Sequence, residues 1–373
     1  MPPFAGNTVE PLHDYEDTIT HIVHDVSQAR HFVHIEYYIL ALDETTEPLF
    51  AAIEAACTRG VVVRVLYDAF GSRKFPRRKE MIARLQSRGA ETHAMLPLRL
   101  PGKFYTRPDL RNHRKLVVVD GEVGYTGSLN MVERAYHRKD AIIYDEMVVR
   151  LEGPIVLQLE AVFLTDWHSE TGVIIAEPRR NLEKQLVARG TTTAQVIPSG
   201  PGYEYENNLK AFNGSFYQAS SRITIVNPYF VPDESLQMAL TNAALRGVEV
   251  ILVNSEAIDQ RMVAHAQRSY YQEMLDAGVK IYLYKAPTLL HSKYILIDDD
   301  LLLVGSSNMD IRSFELNQEL MLAVYDTKVV SQLETITSSY LKRSRRLTKK
   351  EWAQRSIGQR FLDSVARLTS SLQ

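Results

Sequence analysis

The sequence predicts an α/β fold of two similar lobes, each a mixed, mostly parallel β-sheet flanked by helices. Three observations predict it: strand and helix signals alternate, the whole alternation occurs twice, and each copy ends in the same set of polar residues. Ala29 to Leu40 (ARHFVHIEYYIL) reads as a helix end running into a strand, and Ser220 to Val231 (SSRITIVNPYFV) reads the same way. A helical stretch that closes on Arg-Gly and enters a Val-rich strand follows each: Leu49 to Tyr67, then Leu236 to Asn254. Glycine after a last helical turn stops the helix, and the β-branched run after it favours a strand. A further helix–Gly–strand unit pivots on Gly89 and on Gly278. The offset between copies is 192 at Tyr37/Tyr229, 187 at Gly60/Gly247 and 189 at Gly89/Gly278, so the two halves are one unit repeated.

The predicted boundaries are a first lobe over 1–175, a linker over 176–202, a second lobe over 203–341 and a basic, amphipathic tail over 342–373. The linker reading rests on Pro178, a Thr triplet and Pro198-Ser199-Gly200-Pro201-Gly202. In the tail, Ile357, Phe361, Leu362, Val365 and Leu368 share one helical face, to be docked on the body or laid on a bilayer; docking is the reading adopted. Across 373 residues, 45% are hydrophobic and 24% charged, as in globular proteins, and a net charge of -2 argues against a nucleic-acid partner. Cys57 is the single cysteine, so no internal disulfide and no Cys-based metal site can form. No apolar run is long enough to cross a bilayer, and the start has no secretory-signal pattern.

The shared polar set is His113-Arg114-Lys115, Asp120 and Gly127-Ser128-Leu129-Asn130, then His291-Ser292-Lys293, Asp298 and Gly305-Ser306-Ser307-Asn308. Lys, Asp, Gly, Ser and Asn stand at +2, +7, +14, +15 and +17 from each histidine. His and Lys two apart on a strand point to one face. A Gly-Ser-x-Asn turn can aim N–H groups and a carboxamide at an anion. Two such units face to face would surround one phosphate with a nucleophile, a general acid and charge-stabilising donors.

This constellation resembles the phospholipase D superfamily, whose signature HxKxxxxD then GSxN occurs twice, and the resemblance covers nearly the whole chain. The flanks His34 to Ile39, Tyr67 to Ser72, Tyr105 to Lys115, Asn227 to Glu234 and Asn308 to Glu319 are most similar to bacterial cardiolipin synthases. The resemblance implies the phospholipase D fold with the active site between the lobes, and a two-step reaction through a phosphohistidine. It implies a catalytic set of His113, Lys115, Asp120, His291, Lys293 and Asp298, with His113 as nucleophile and His291 as general acid. Asp120 and Asp298 are expected to pin turns more than to do chemistry. Ser128, Asn130, Ser306 and Asn308 would bind phosphate, beside the lysines. Glu319 in the second copy and Glu146 in the first would orient the histidines, although the family's Trp-Arg-Asp is Tyr144-Asp145-Glu146 here. Glu36, Tyr37, Asn227 and Tyr229 are candidate pocket residues. An apolar shield near His113 is expected from Tyr37, Tyr38, Phe104, Tyr105, Tyr229 and Phe230.

The implied activity is phosphatidyl transfer between two phosphatidylglycerol molecules, giving cardiolipin and glycerol, with a phospholipase D-type hydrolase as the alternative. No metal and no cofactor are expected. The expected partners are anionic phospholipid and a membrane surface. The expected location is the bacterial cytoplasmic membrane, peripheral as the chain stands, since the two membrane-spanning helices that begin many relatives are missing here.

Overall fold

A computed structural model describes residues 1–97, 107–136, 142–175 and 186–368. The first lobe runs β1 (Phe4–Leu12), α1 (Tyr15–Gln28), β2 (Phe32–Tyr37), α2 (Glu47–Thr58), β3 (Val62–Asp68), α3 (Arg78–Ser87) and β4 (Glu91–Met95). It continues with β5 (Arg111–Asn112), β6 (Lys115–Val119), β7 (Val123–Gly127), β8 (Ile143–Asp145), β9 (Val148–Glu152) and α4 (Val156–Thr171). The second lobe repeats the pattern as β10 (Thr192–Ser199), α5 (Asn207–Gln218), β11 (Arg222–Val226), β12 (Phe230–Val231), α6 (Glu234–Leu245), β13 (Glu249–Ser255), α7 (Arg261–Ala277) and β14 (Lys280–Tyr284). Then come β15 (Thr288–Leu290), β16 (Tyr294–Ile297), β17 (Leu301–Gly305), β18 (Met309–Asp310), α8 (Ile311–Glu315), β19 (Asn317–Tyr325) and α9 (Thr327–Lys342). The tail forms β20 (Ser344–Leu347), α10 (Lys349–Ala353) and α11 (Ile357–Leu368).

The α/β class and the two-lobed repeat hold. The strand pairing is more antiparallel than the sequence predicts. Along the main path of the sheet, β2–β3–β4 and β11–β13–β14 are parallel, each pair joined through a helix, and the short β5 adds one more parallel pairing, with β19. Toward the middle, β6–β7 and β16–β17 are tight hairpins, which can only be antiparallel. Asp120 and Asp298 turn these hairpins with φ of 53° and 48°, a left-handed conformation that Asp tolerates. The helix-ending glycines were legible: Gly60 and Gly247 have φ of 87° and 95°.

The predicted linker needs correction. Residues 192–199, inside it, form β10, which pairs with β19 and with the amino-terminal β1. Ala194 and Val196 are fully buried there. Because β1 also pairs with β9, the two lobes share one continuous sheet of 16 strands. One apolar core draws on both lobes, joining Leu66, Val149 and Phe163 to Val226, Tyr284 and Leu322. The remaining two large cores lie under the helices of the separate lobes. The tail differs too, because β20 extends the sheet edge beside β14.

Asp120 and Asp298 do not line the cavity that holds the histidines and are bound up in the hairpin turns, the role expected of them. The Asp120 carboxylate accepts from the N–H groups of Arg30, His31 and Phe32. Asp298 accepts from the N–H groups of Ser220, Ser221 and Arg222 and from both serine hydroxyls. Each ties the hairpin turn to the start of the neighbouring strand. Burial opposes ionisation of Asp298, yet these donors hold its carboxyl well below the usual range.

A depressed folded pKa contributes stability that is present above the unfolded value of about 3.9 and lost as pH falls through the folded value. Asp298→Asn keeps the turn geometry and removes the charge. It should cost about 2 kcal/mol at pH 7, at the low end for charge-assisted bonds because the turn is half-exposed. In urea melts the gap to wild type should narrow below about pH 4; a gap independent of pH would show that ionisation has no part in it.

Candidate active site

The strands that carry the two histidines are anchored in the opposite lobes. Just before His113, β5 pairs in parallel with Asn317 and Gln318 at the start of β19, and His113 N–H donates to the Gln318 carbonyl at 2.9 Å. Just before His291, β15 pairs in parallel with β8, and His291 N–H donates to the Asp145 carbonyl at 2.7 Å. The next residue on each partner strand is a glutamate. His113 Nδ1 lies 2.9 Å from Glu319 Oε1, and His291 Nδ1 lies 2.8 Å from Glu146 Oε1. Each histidine is therefore paired with the acid of the other copy, not with the acid of its own.

This crossed arrangement sets the tautomers. Nδ1–H donates to carboxylate, which leaves Nε2 of each ring for a cavity of about 570 Å³ lined by both histidines. Burial lowers His113 to about 4 and is opposed by Glu319, so its imidazole is neutral at pH 7. Burial also lowers His291, opposed by Glu146. Burial would raise both glutamates, but the facing histidines and lysines outweigh it and hold them below the usual carboxylate value.

Lys115 and Lys293 are buried, each donating from Nζ to the backbone carbonyl of its own motif histidine, at 2.6 and 2.8 Å. Burial pulls Lys115 down to about 7, helped by Lys293, and pulls Lys293 to about 8, with the glutamates opposing. An entering phosphate anion would restore both ammonium charges. Asn130 and Asn308 line the cavity, one from each lobe, and each has a buried Oδ1 with no hydrogen-bond partner among the described residues. Orphaned carboxamides on both sides of one cavity suit a polar ligand.

Several expected site residues stand elsewhere. Ser128 and Ser306 are fully buried behind the histidines and donate to Glu146 and Glu319, so they hold the orienting acids and do not face a phosphate. Each also accepts the N–H that follows its glutamate, from Met147 and Leu320, at 2.9 Å. Glu36 lies beneath the floor, accepting from Asn112 at 2.8 Å near the buried Arg114–Asp166 pair, and burial pushes its carboxyl well up. Tyr37 belongs to the first-lobe core and Phe230 to the second-lobe core. Asn227 is spent on backbone, accepting from the N–H groups of Tyr229 and Met309. Tyr37 and Phe230 are each next in the chain to a lining tyrosine, and alternation turns them into the body; Glu36 and Asn227, two residues before Tyr38 and Tyr229, are instead held by the partners just named. Tyr229 and Tyr38 do line the cavity. Tyr38 meets His113 edge-on at 5.0 Å between ring centroids, and Tyr229 meets His291 at 6.3 Å. Phe104 and Tyr105 lie outside the described residues.

The cavity wall also holds residues that sequence reasoning missed. Arg111 and Arg312 stand on it, Arg111 3.5 Å from Asp68 and Arg312 donating to the Asp109 carbonyl at 2.8 Å. Near His291, Asp259 accepts from Tyr229 at 2.6 Å and Tyr144 at 3.3 Å, while its Oδ1 is buried without a partner among the described residues. Arg111 and Arg312 sat inside stretches already singled out for resemblance; Asp259 stands where the repeat gives no counterpart. Among the described residues no three of His, Cys, Asp and Glu converge as a metal would require.

Residues 22–167 and 215–341 match the family described as "Cardiolipin synthase, PLD-like domain". The chain is 35% identical over 371 residues to cardiolipin synthase A of Proteus mirabilis, covering 98% of this chain and 76% of that one. It is 36% identical over 371 residues to cardiolipin synthase of Alkalihalophilus pseudofirmus, covering 99% and 73%. Among solved structures, phosphatidylserine synthase of Haemophilus influenzae has a TM-score of 0.74 at 14% identity, covering 98% of this chain and 95% of that one, a likeness of fold. Polyphosphate kinase of Porphyromonas gingivalis has a TM-score of 0.62 at 13% identity, covering 98% and 54%.

The crossed pairs give a test by pH. Removing a carboxylate that raises a histidine pKa should lower that pKa further. If His291 acts as the general acid, Glu146→Gln should move the alkaline limb of the turnover profile to lower pH, because such an acid must be protonated. Turnover at neutral pH should fall about 10²- to 10⁴-fold with the fold intact. A profile that loses height without shifting would mean that Glu146 does not tune the proton on His291.

Proposed function

This chain belongs to the cardiolipin synthase family with phospholipase D-like domains, and on that premise we propose that it passes a phosphatidyl group from one phosphatidylglycerol to another through a phosphohistidine. The products are cardiolipin and glycerol. The lobes over 1–175 and 203–341 are the working halves, each contributing one histidine and the acid for the other. One observation carries the reading: two imidazoles, each with Nδ1 on a buried glutamate, line one cavity from opposite lobes.

In the first step the neutral Nε2 of His113 attacks phosphorus and the bond from phosphorus to the glycerol oxygen breaks. Nε2–H of His291 gives its proton to that oxygen, and glycerol leaves. The phosphohistidine ring carries positive charge, which Glu319 offsets from Nδ1. In the second step a hydroxyl of another phosphatidylglycerol gives its proton to His291 Nε2 and attacks phosphorus. The phosphorus–nitrogen bond breaks, and neutral His113 returns. Leaving and entering alcohols both meet His291, beside which Asp259 Oδ1 offers an acceptor for glycerol hydroxyls. Lys115, Lys293, Asn130 and Asn308 surround the phosphate oxygens as they gain charge.

Two experiments test the proposal. With an activated leaving group, His291→Ala should accumulate an acid-labile phosphoenzyme and His113→Ala should not; labelling that survives His113→Ala would exchange the two roles. Exchange of one phosphodiester for another has a small reaction free energy, so cardiolipin formed from phosphatidylglycerol should plateau before the substrate is consumed. Added glycerol should lower that plateau and regenerate phosphatidylglycerol from cardiolipin. Phosphatidic acid as the dominant product at every glycerol concentration would mean that water, not lipid, takes the second step.

A further inference from the structure

The last helix, α11, is docked inside out. It packs on α7 through its polar side, where Asp363 is only 2% exposed. One Asp363 oxygen lies 2.8 Å from His265 Nδ1, and the other accepts from Arg355 at 2.8 Å. Beside it Arg367 donates to Glu273 at 2.7 Å and covers the Tyr270 ring. The apolar side is left outside: Ile357 is 86%, Phe361 66% and Leu368 84% exposed, with Leu362 and Val365 between them. An ordinary amphipathic helix would bury Phe361 and show Asp363 to water. Here a buried carboxylate held between His265 and Arg355 clamps the helix so that its apolar stripe, about 17 Å long, faces away.

The surroundings say what the stripe meets. Residues 342–368 contain nine basic and two acidic side chains, a surplus of seven in a chain whose net charge is -2. Some of the basic groups pair with acids of the body, but Lys342, Arg346, Lys350 and Arg360 are exposed. An apolar stripe with a cationic surround is the chemistry of an anionic bilayer surface. The docked side of α11 also borders a groove that runs toward the cavity wall. A groove of about 590 Å³ between α6, α7 and α11 is lined by Pro232, Met238, Ile311 and Arg367 together with the acids Asp233, Glu234 and Glu273, and the neighbours of Ile311, Asp310 and Arg312, line the cavity that holds the histidines.

We propose that α11 seats the enzyme on anionic bilayers by its outward face, with Asp363 as the clamp, and that the Met238–Ile311 groove leads lipid from that surface to the cavity. The substrate side of this inference rests on the phosphatidyl-transfer reading; the seating itself does not. The test is co-sedimentation of the full chain with vesicles of phosphatidylglycerol and phosphatidylcholine, against vesicles of phosphatidylcholine alone. Phe361→Ser with Leu368→Ser should weaken binding to the anionic vesicles tenfold or more. Turnover of a short-chain, monomeric phosphatidylglycerol should stay within twofold, and the melting temperature should not change. Asp363→Asn, which loosens the clamp and leaves the stripe intact, should weaken vesicle binding less than the double variant. Undiminished binding by the double variant overturns the proposal. So does a change of oligomeric mass with vesicle affinity kept, which would make a second copy the occupant. Loss of binding in a protein that forms no cardiolipin would leave the seating standing and remove the transferase reading; cardiolipin synthesis with undiminished binding does the reverse.

Discussion

Everything at the centre of this molecule depends on an exchange between the lobes. Each motif histidine follows a short strand that pairs in parallel with the other lobe, and the residue after that pairing is the glutamate on its Nδ1. Neither half is complete by itself: a lobe alone would keep a histidine without its carboxylate and a buried carboxylate without its histidine. A buried carboxylate lacking its partner is strongly disfavoured, so the charge balance of the core and the catalytic geometry are satisfied by the same two contacts. The serines of the Gly-Ser turns complete the device by holding the second oxygen of each glutamate.

The electrostatics around these pairs belong to a site kept ready for an anion. Two histidines and two lysines share a buried region, and burial pulls all four toward their neutral forms. Two glutamates compensate part of that positive charge. A phosphate entering between them supplies the rest, which raises the tendency of every one of these bases to hold its proton. On the mechanism proposed above, the neutral state of His113 and the protonated state required of His291 need not coexist in the empty site; the substrate itself would help to create the second.

The sequence made the repeat, its motifs and the helix-ending glycines readable because these depend on local spacing. It concealed whatever depends on distant partners. Residues 192–199 carry a Thr run, a proline and a following glycine, so they read as linker, and only β1 and β19 on either side make them a strand. Pro198 is tolerated because the pairing with β1 has already ended there and β19 alone remains its neighbour. The crossing of Glu146 and Glu319 was hidden for the same reason: nearness along the chain suggested partners within one copy, and topology gives partners between copies. Tyr37 was near the right place but turned to the opposite side from Tyr38, while Glu36 and Asn227 are held away from the cavity by Asn112 and by backbone N–H groups. Asp259 carries no motif, and only the fold brings it beside Tyr144 and Tyr229.

The continuous sheet through β9, β1, β10 and β19 has a mechanical consequence. Ladders of backbone hydrogen bonds join the lobes along this seam, and the two parallel bridges join them again at the histidines. Fastened at both places, the lobes form a frame of fixed gauge, and the span between the imidazoles does not open and shut like a jaw. On the proposed reaction, lipid headgroups would then enter and leave by threading the mouth, one displacing another. The rate at which such an enzyme works would then be set by traffic at its rim and not by movement of its halves.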